Sequence, residues 1–504
     1  MESGMKADHA VVNSGRTKPT KQAGAAACDS DRAAWEVRGK NLYFVGIGGC
    51  GMSGLARMLL ARGAECSGSD QTASELTEAL KRDGVAVGFD QESGTLPDEC
   101  DLVIASAAIR PDHPQLLEAQ RRGLTVMHYA EALGRLMLGR TGVSIAGTHG
   151  KSTTTATLAH ILIQCGFDPS FVVGATCRQI GGGARTGSAT IPGSDRPGIL
   201  LGEACEFNRS FHHHRPAIGA ILNIEEDHLD IYGSLDAIIE AFHEFAALLP
   251  PRDQGGYLLI AHEGAHRGTV VAGLECAVET IGFSTQADWV IHFEPASHRV
   301  TLSQGGGDVA SWTTPMPGEH NAYNSAVACV LAHRLGCEWS RITTAVESFA
   351  GVDRRLQRLG SRAIPGGEVL VYDDYGHHPT EIDATLRALR SHENPRRLVC
   401  VFQPHQHSRT RFLLEQFATS FSSADVVIVP HIYFVRDSEA EKQRVSAADL
   451  VDRLRQRGVQ AMHLYPFEAI VEQLENVCRP GDLLVVMGAG PVWKVAKQFL
   501  GRQA

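Results

Sequence analysis

The chain has 504 residues, of which 43% are hydrophobic and 21% are charged, and its formal net charge is -10 at pH 7. This length favours about three domains rather than one hydrophobic core. The negative charge argues against bulk electrostatic binding of nucleic acid or an anionic membrane surface. No stretch has the length and apolar character of a membrane span or signal peptide. The scattered cysteines form no Cys-x-x-Cys pair, which favours buried thiols in a reducing cytoplasm.

Residues 1–39 are polar and aperiodic, which predicts a disordered tail. We place the predicted domains at residues 40–140, 141–350 and 351–504.

The first predicted domain opens with a buried strand at 41–45 and a glycine-rich turn, GIGGCGMSG, at 46–54. Such glycines let the backbone approach a diphosphate, and an acid about 20 residues further on often binds a ribose. A second strand, predicted at 101–108, ends at the same edge of the sheet. A tight turn without a ligand and an NAD site are the alternatives. The candidate binding residues are Gly48, Gly49, Gly51, Asp70 and Ser106.

The second domain opens with a phosphate loop, GTHGKSTTT, at residues 147–155, between a β-branched run and an apolar helical segment. Backbone N–H groups and the helix dipole can cradle phosphates, Lys151 adds a positive charge, and the Ser152 hydroxyl can ligate Mg²⁺. The alternative is a glycine-rich turn whose lysine points to water. The predicted ATP-binding residues of the loop are Gly147, Thr148, His149, Gly150, Lys151, Ser152 and Thr153.

Acids and a histidine follow two further predicted strands, at 198–203 and 217–223. Glu203 ends the first, and the second leads into IEEDHLD, which contains His228. Such groups beside a phosphate loop can hold Mg²⁺, so Ser152, Glu203 and His228 are the predicted metal ligands. A helix cap or salt bridge at Glu203 and a loop role for His228 are the alternatives.

Two other polar groups in this domain have rival interpretations. His212, His213 and His214 are adjacent and cannot all face one ion, so we predict a solvated loop. His320 and Asn321 begin an apolar helix and can contact adenine or phosphates, although helix capping by Asn321 is the alternative.

The third domain alternates predicted strands (368–372, 397–402, 425–429 and 482–487) with predicted helices (379–390, 411–421, 447–457 and 468–477), which is typical of a parallel sheet wrapped by helices. Polar clusters follow two of these strands and suit either a metal or a substrate in an interdomain cleft. They contain Tyr375, His377, His378, His405 and Arg409.

In this order, the motifs resemble the Mur ligase family over about residues 40–500. The resemblance implies an α/β enzyme with a Rossmann-like UDP-binding domain, a central P-loop ATPase-type domain and a C-terminal Rossmann-like domain that closes over the site. It implies ATP and Mg²⁺ as cofactors, UDP-N-acetylmuramate and L-alanine as substrates, and amide formation through an acyl phosphate in peptidoglycan synthesis. The implied catalytic residues are Lys151, His228, Arg354, Arg355, His378 and Arg409.

Some positions depart from the family pattern. Gln406 stands where the family commonly has arginine, and two acids after Glu203 are absent. The altered positions there are Cys205, Phe207, Asn208 and Arg209. A sister ligase that adds a preformed peptide or another amino acid is the main alternative, and the glycine turn at 46–54 argues against it. A nicotinamide-dependent dehydrogenase leaves the phosphate loop unexplained, and a catalytically dead regulator disagrees with Lys151 and His228. Both monomer and dimer remain open.

Overall fold

The structure, a computed structural model, describes residues 34–435 and 437–502. Its strands form three separate sheets, of five, ten and six strands. Each sheet packs a hydrophobic cluster against both of its faces. The predicted three-domain α/β fold is therefore confirmed. Among the described residues, no helix is long and apolar enough to span a bilayer.

The first sheet is wholly parallel, with the order β3-β2-β1-β4-β5. Its strands β1 to β5 are Asn41–Val45, Glu65–Ser69, Ala86–Gly88, Leu102–Ala105 and Thr125–His128. The helices α1 to α4 are Cys50–Leu60, Glu75–Arg82, Pro114–Arg121 and Tyr129–Met137.

The central sheet has the order β15-β14-β13-β12-β11-β10-β6-β9-β7-β8. Its strands β6 to β15 are Thr141–Ala146, Ser170–Val172, Ala184–Arg185, Ile199–Ala204, Ile218–Ile221, Tyr257–Ala261, Ala277–Gly282, Trp289–Glu294, Arg299–Gln304 and Gly307–Thr313. The helices α5 to α10 are Lys151–Gln164, Leu229–Tyr232, Leu235–Ala246, Arg267–Val271, Glu319–Leu335 and Trp339–Glu347.

The third sheet has the order β16-β17-β21-β18-β19-β20, and it is parallel except for β16. Its strands β16 to β21 are Gln357–Ile364, Gly367–Asp374, Arg397–Phe402, Val426–Val429, Gln460–His463 and Asp482–Met487. The helices α11 to α17 are Pro379–Glu393, His407–Phe412, Leu414–Thr419, Glu439–Lys442, Ala447–Gln456, Phe467–Val477 and Trp493–Phe499.

The strand orders bring the polar motifs together. In the central sheet, β6 leads into the phosphate loop and lies between β9, which carries Glu203, and β10, which precedes Asn223. Since all three strands are parallel, their carboxyl ends share one edge. In the third sheet, β21 lies between β17 and β18, so the polar segments after those two strands also face one edge.

Three local expectations differ from the structure. The predicted tail falls mostly on residues 1–33, outside the described residues, but it extends to residue 39, and Val37 is buried. The predicted solvated loop at the histidine run is wrong for His214, which is buried and hydrogen-bonds to Ser144 Oγ at 2.8 Å. The helical pattern at 411–421 is two helices, α12 and α13, because the helical geometry breaks at Leu413.

Candidate active site

The phosphate loop turns sharply between β6 and α5 and is braced by Asn223. The side chain of Asn223 accepts from the His149 N–H at 2.7 Å and donates to the His149 carbonyl at 3.1 Å. Gly150 has φ +85°, and a Cβ there would lie 2.5 Å from Oδ1 of Asn324. Glycine is therefore required at this position for both backbone conformation and space.

Lys151 is the first residue of α5, and its ammonium folds back over the loop. Nζ donates to the Gly147 carbonyl at 2.5 Å and lies 2.9 Å from Oε2 of Glu206. Burial opposes the charged form, but the Glu206 carboxylate outweighs burial and raises the pKa of Lys151 above its ordinary value. The loop therefore keeps a permanent positive charge.

Ser152 and Glu203 meet directly beneath the loop. The Ser152 hydroxyl donates to Oε2 of Glu203 at 3.1 Å, while Oε1 of Glu203 accepts from the Gly174 N–H at 2.5 Å. Burial raises the pKa of Glu203, although Gly174, Arg355 and Lys151 oppose that rise. A hydroxyl beside a carboxylate is a donor set that suits Mg²⁺, so these residues fit the predicted metal.

His228 lies near the same group of charges. It adopts a left-handed backbone conformation with φ +53° before α6, and its ring packs edge-on against Phe207. Burial lowers the pKa of His228, against the effect of the Asp227 and Glu206 carboxylates. The ring is therefore neutral at pH 7, which is the form that ligates a metal.

A cavity of about 760 Å³ opens beside the loop, between the central and third domains. His320 and Asn321 line it at the start of α9, and burial lowers the pKa of His320 to about 4. The N-cap of α9 is Gly318, and the Asn321 amide donates to the Pro317 carbonyl at 2.8 Å. Apolar walls beside polar groups are typical of a pocket that binds a small molecule. The apolar lining includes Leu222, Ile224, Phe283, Phe293, Ala384 and Ala388.

Arg354 and Arg355 have different surroundings. Arg354 is bound within the third domain, where it donates to the Gly488 carbonyl at 2.7 Å and pairs with Asp373 at 3.3 Å. Arg355 lines the cavity, and its positive charge acts to lower the pKa of Glu203. Both guanidinium groups lie over the Tyr375 ring, at 5.1 and 4.7 Å from its centroid. Arg355 is therefore the arginine that faces the cavity.

A buried ion pair joins the central domain to the third domain. Arg409 on α12 donates to Oδ1 of Asp227 at 2.9 Å and contacts Nδ1 of His405 at 3.2 Å. Burial alone would raise the pKa of Asp227, but Arg409 outweighs burial and holds that pKa well below its usual range. The ring of His377 lies 5.9 Å from that of His405, and burial lowers the pKa of His377 to about 4.

His149 is a second link between these domains. Its Nδ1 lies 3.1 Å from Oε1 of Glu381, and its Nε2 lies 3.5 Å from Oε2 of Glu225. Burial opposes a charged ring, yet the two carboxylates raise the pKa of His149 to about 9. His378 packs against the same ring at a centroid distance of 4.7 Å.

In the first domain, the structure brings the candidate residues together around the glycine turn. The Gly48 N–H donates to Oδ2 of Asp70 at 2.7 Å, and a Cβ at Gly46 would lie 3.1 Å from Cβ of Ser106. The Asp70 carboxylate therefore holds the turn in shape. Gly49 is the N-cap of α1, and a Cβ at Gly51 would lie 2.9 Å from the Tyr129 ring.

Several charged residues of the cleft received no role from the sequence: Glu206, Glu225, Asp227 and Glu381. Glu225 and Asp227 lie in the same acidic run as His228, IEEDHLD, so the sequence pattern that predicted a role for His228 could also have predicted one for them. Glu381 was detectable as the third residue of a helix that starts with Pro379, in a capping box with His378. Glu206 had no comparable signal.

Comparison with known families covers most of the chain. Residues 41–141 match the model described as "Mur ligase family, catalytic domain", and residues 145–332 match "Mur ligase middle domain". Residues 354–490 match "Mur ligase, glutamate ligase domain".

Similar proteins include two bacterial ones named UDP-N-acetylmuramate–L-alanine ligase. The one from Caldanaerobacter subterraneus is 35% identical over 92% of this chain and 97% of its own length. The one from Lachnospira eligens is 36% identical over 91% of this chain and 98% of its own length. Among solved structures, a UDP-N-acetylmuramate–alanine ligase from Thermotoga maritima has a TM-score of 0.72 at 24% identity. The match covers 92% of this chain and 98% of the Thermotoga chain. A murein peptide ligase from Psychrobacter arcticus has a TM-score of 0.68 at 23% identity over the same shares.

Proposed function

The chain belongs to the Mur ligase family, and from that premise we propose that it joins L-alanine to the lactyl carboxylate of UDP-N-acetylmuramate. The reaction converts ATP to ADP and phosphate and is a step of peptidoglycan precursor synthesis. The full-length likeness to proteins named for this activity supports the proposal. The observation that carries the chemistry is one cleft that Ser152 lines from the central domain and Arg355 from the third, where both residues and Lys151 act on the Glu203 carboxylate.

A carboxylate is a poor acyl donor, so it must be activated. A lactyl carboxylate oxygen attacks the γ-phosphorus of ATP, the bond to the β–γ bridging oxygen breaks, and ADP leaves. The amine of L-alanine then attacks the acyl carbon of the acyl phosphate, phosphate departs with the C–O electron pair, and the amine loses a proton. The first step brings two anions together and therefore requires positive charge and in-line positioning.

In our proposal, the phosphate loop supplies much of that charge. The phosphates lie within the loop formed by Gly147, Thr148, His149, Gly150, Lys151, Ser152 and Thr153. The Lys151 ammonium neutralises the β- and γ-phosphates, and its raised pKa supports a charged form at working pH. Arg355 faces the same space from the third domain, and Arg354 holds the segment that carries it.

Ser152, Glu203 and His228 are the proposed holders of Mg²⁺. When bound, the ion shields phosphate charge and the attacking carboxylate. The contact between Ser152 and Glu203 supports this role, and the low pKa of His228 keeps its ring available as a donor.

The third domain is proposed to bind the amino acid. The Asp227–Arg409 pair lies next to the run that contains His228. The proposed amino-acid site is built around this pair from Arg409 itself and from His405, His377, His378 and Tyr375. A guanidinium is suited to an amino-acid carboxylate. Gln406 is buried in this segment and carries no charge, so the guanidinium beside Asp227 is that of Arg409.

The first domain is proposed to hold the UDP part of the substrate through Gly48, Gly49, Gly51, Asp70 and Ser106. The glycine turn lies inside the segment that the Mur ligase model matches, so the nicotinamide alternative is not retained. His320 and Asn321 are proposed to contact ATP in the cavity. We also propose that the enzyme acts in the cytoplasm, where ATP is available. The cysteines of the described residues are free thiols, which agrees with a reducing compartment.

The proposal is tested by phosphate release from purified protein with ATP, Mg²⁺ and UDP-N-acetylmuramate. We expect much faster release with L-alanine than with a tripeptide, and little release when the UDP-sugar is omitted. Faster release with the tripeptide would assign the chain to the peptide-adding ligases instead.

A further inference from the structure

Three side chains from two domains converge on one wall of the cleft. Nε2 of His149 lies 3.5 Å from Oε2 of Glu225, and Nδ1 of His378 lies 3.8 Å from the same oxygen. One ligand atom from each residue lies within 4.8 Å of the other two. Neighbouring ligands of a tetrahedral zinc ion are about 3.3–3.4 Å apart, given its bond lengths. The two measured separations are close to that value.

Each of these side chains is also held by a further group. Nδ1 of His149 contacts the Glu381 carboxylate at 3.1 Å, and Nε2 of His378 contacts the Glu226 carbonyl at 3.2 Å. Oε2 of Glu225 accepts from the Thr380 hydroxyl at 2.5 Å. Histidines that ligate metals almost always use their second ring nitrogen in this way, which fixes the ring and its tautomer.

The ring nitrogens that face the cluster are poorly satisfied. Nε2 of His149 is buried and, among the described residues, makes no hydrogen bond, so its contact with Glu225 is only a long ionic one. Nδ1 of His378 accepts a long bond of 3.3 Å from the Thr380 N–H, which a cation would replace. Buried polar atoms without partners are uncommon in folded proteins.

We propose that His149, Glu225 and His378 form a binding site for a zinc-type divalent cation. Two imidazoles and one carboxylate suit zinc or cobalt rather than Mg²⁺, which prefers oxygen ligands. This zinc-type site shares no residue with the proposed Mg²⁺ site, which consists of Ser152, Glu203 and His228. His149 and Glu225 belong to the central domain and His378 to the third domain, so a bound cation ties the two domains together across the nucleotide cleft.

The charges around His149, Glu225 and His378 are consistent with a bound cation. The carboxylates of Glu225 and Glu381 attract a proton to His149, whose pKa they raise, and a cation would replace that proton. Burial and the neighbouring His149 lower the pKa of His378, which keeps its ring neutral.

The test uses the full-length, nucleotide-free protein after treatment with a chelator. We expect it to bind one equivalent of Co²⁺ with the visible absorption of a tetrahedral ion, and Zn²⁺ but not Mg²⁺ should displace it. Glu225→Gln and His149→Gln should each weaken binding by at least about tenfold. His320→Gln, in the same cavity, and His228→Gln, in the other proposed metal set, are the matched controls and should bind as tightly as the unaltered protein.

X-ray absorption of the zinc-loaded, unaltered protein gives a measurement that needs no variant, and it should show two imidazole ligands. Circular dichroism checks that each variant is folded. Three results would each overturn the proposal: no stoichiometric Co²⁺ binding, undiminished binding in folded Glu225→Gln and His149→Gln, or loss of the absorption in His228→Gln.

Discussion

The ammonium of Lys151 lies 2.9 Å from the carboxylate of Glu206, and the two side chains are only 15% and 5% exposed. The lysine of the phosphate loop is thus paired with a carboxylate of its own domain, which raises the pKa of Lys151. Under the proposed function, a nucleotide phosphate must share the ammonium with Glu206 or displace that carboxylate.

Lys151→Ala should lower turnover by roughly 10²-fold or more, because a preorganised charge at the transferring phosphoryl group is lost. Steady-state phosphate release at saturating ATP measures this loss. The same change leaves Glu206 buried without its partner, so the double variant Lys151→Met/Glu206→Gln serves as the control for stability. Near-normal turnover in either variant would refute the role proposed for Lys151.

Glu206→Gln should destabilise the nucleotide-free protein by about 3–5 kcal/mol, since it leaves a buried ammonium without its counter-charge. A nucleotide phosphate can replace the missing negative charge. A non-hydrolysable ATP analogue should therefore raise the melting temperature of this variant more than that of the unaltered protein. Equal shifts in the two proteins would mean that Glu206 and the phosphates do not compete.

Arg355→Ala and Arg354→Ala should behave differently although the residues are adjacent. Loss of Arg355 should reduce turnover by about 10²–10³-fold with little change in melting temperature, because its guanidinium faces the nucleotide cavity. Loss of Arg354 should cost about 1–3 kcal/mol of stability, because it binds the Gly488 carbonyl and Asp373. Thermal melts and kinetics on both variants separate the two roles, and a reversed pattern would contradict the assignment.

Asp374 should make stability fall as the pH rises from about 4 to about 6. Burial raises its pKa to about 6 in the folded protein, above the unfolded value of about 3.9. The folded state therefore binds more protons in this window, so raising the pH favours unfolding. The effect is at most about 3 kcal/mol.

Urea unfolding of the unaltered protein and of Asp374→Asn, at several pH values, isolates this contribution. The stability of the unaltered protein relative to the variant should decline across the window and then level off above pH 6. A constant difference between the two proteins would mean that the carboxyl group of Asp374 titrates normally.

The sequence was sufficient to predict which motifs meet. Strand–helix alternation implies parallel strands, and the carboxyl ends of neighbouring parallel strands share an edge. The phosphate loop after Ala146 and the carboxylate of Glu203 were therefore expected at one edge of the sheet, where the structure places their strands side by side. The same reasoning brought Asp70 and Ser106 to the first glycine turn.

Pairings that depend on side-chain direction were not predictable. Arg354 and Arg355 are identical in type and adjacent, and only the positive φ of Arg354, +61°, and the packing of the third domain separate their surroundings. His214 carries no local signal for burial, which arises from the packing of its ring against Ser144 on the central sheet. Glu206, which contacts Lys151, directly precedes a short irregular segment with positive φ at Asn208 and Arg209.

The Asp227–Arg409 pair limits how freely the domains could be exchanged among relatives. Its two side chains are 8% and 6% exposed, and each comes from a different domain. A chimera that received a foreign third domain without a matching arginine would bury the Asp227 carboxylate against no cation. Recombination at the boundary between the domains therefore has to preserve this match.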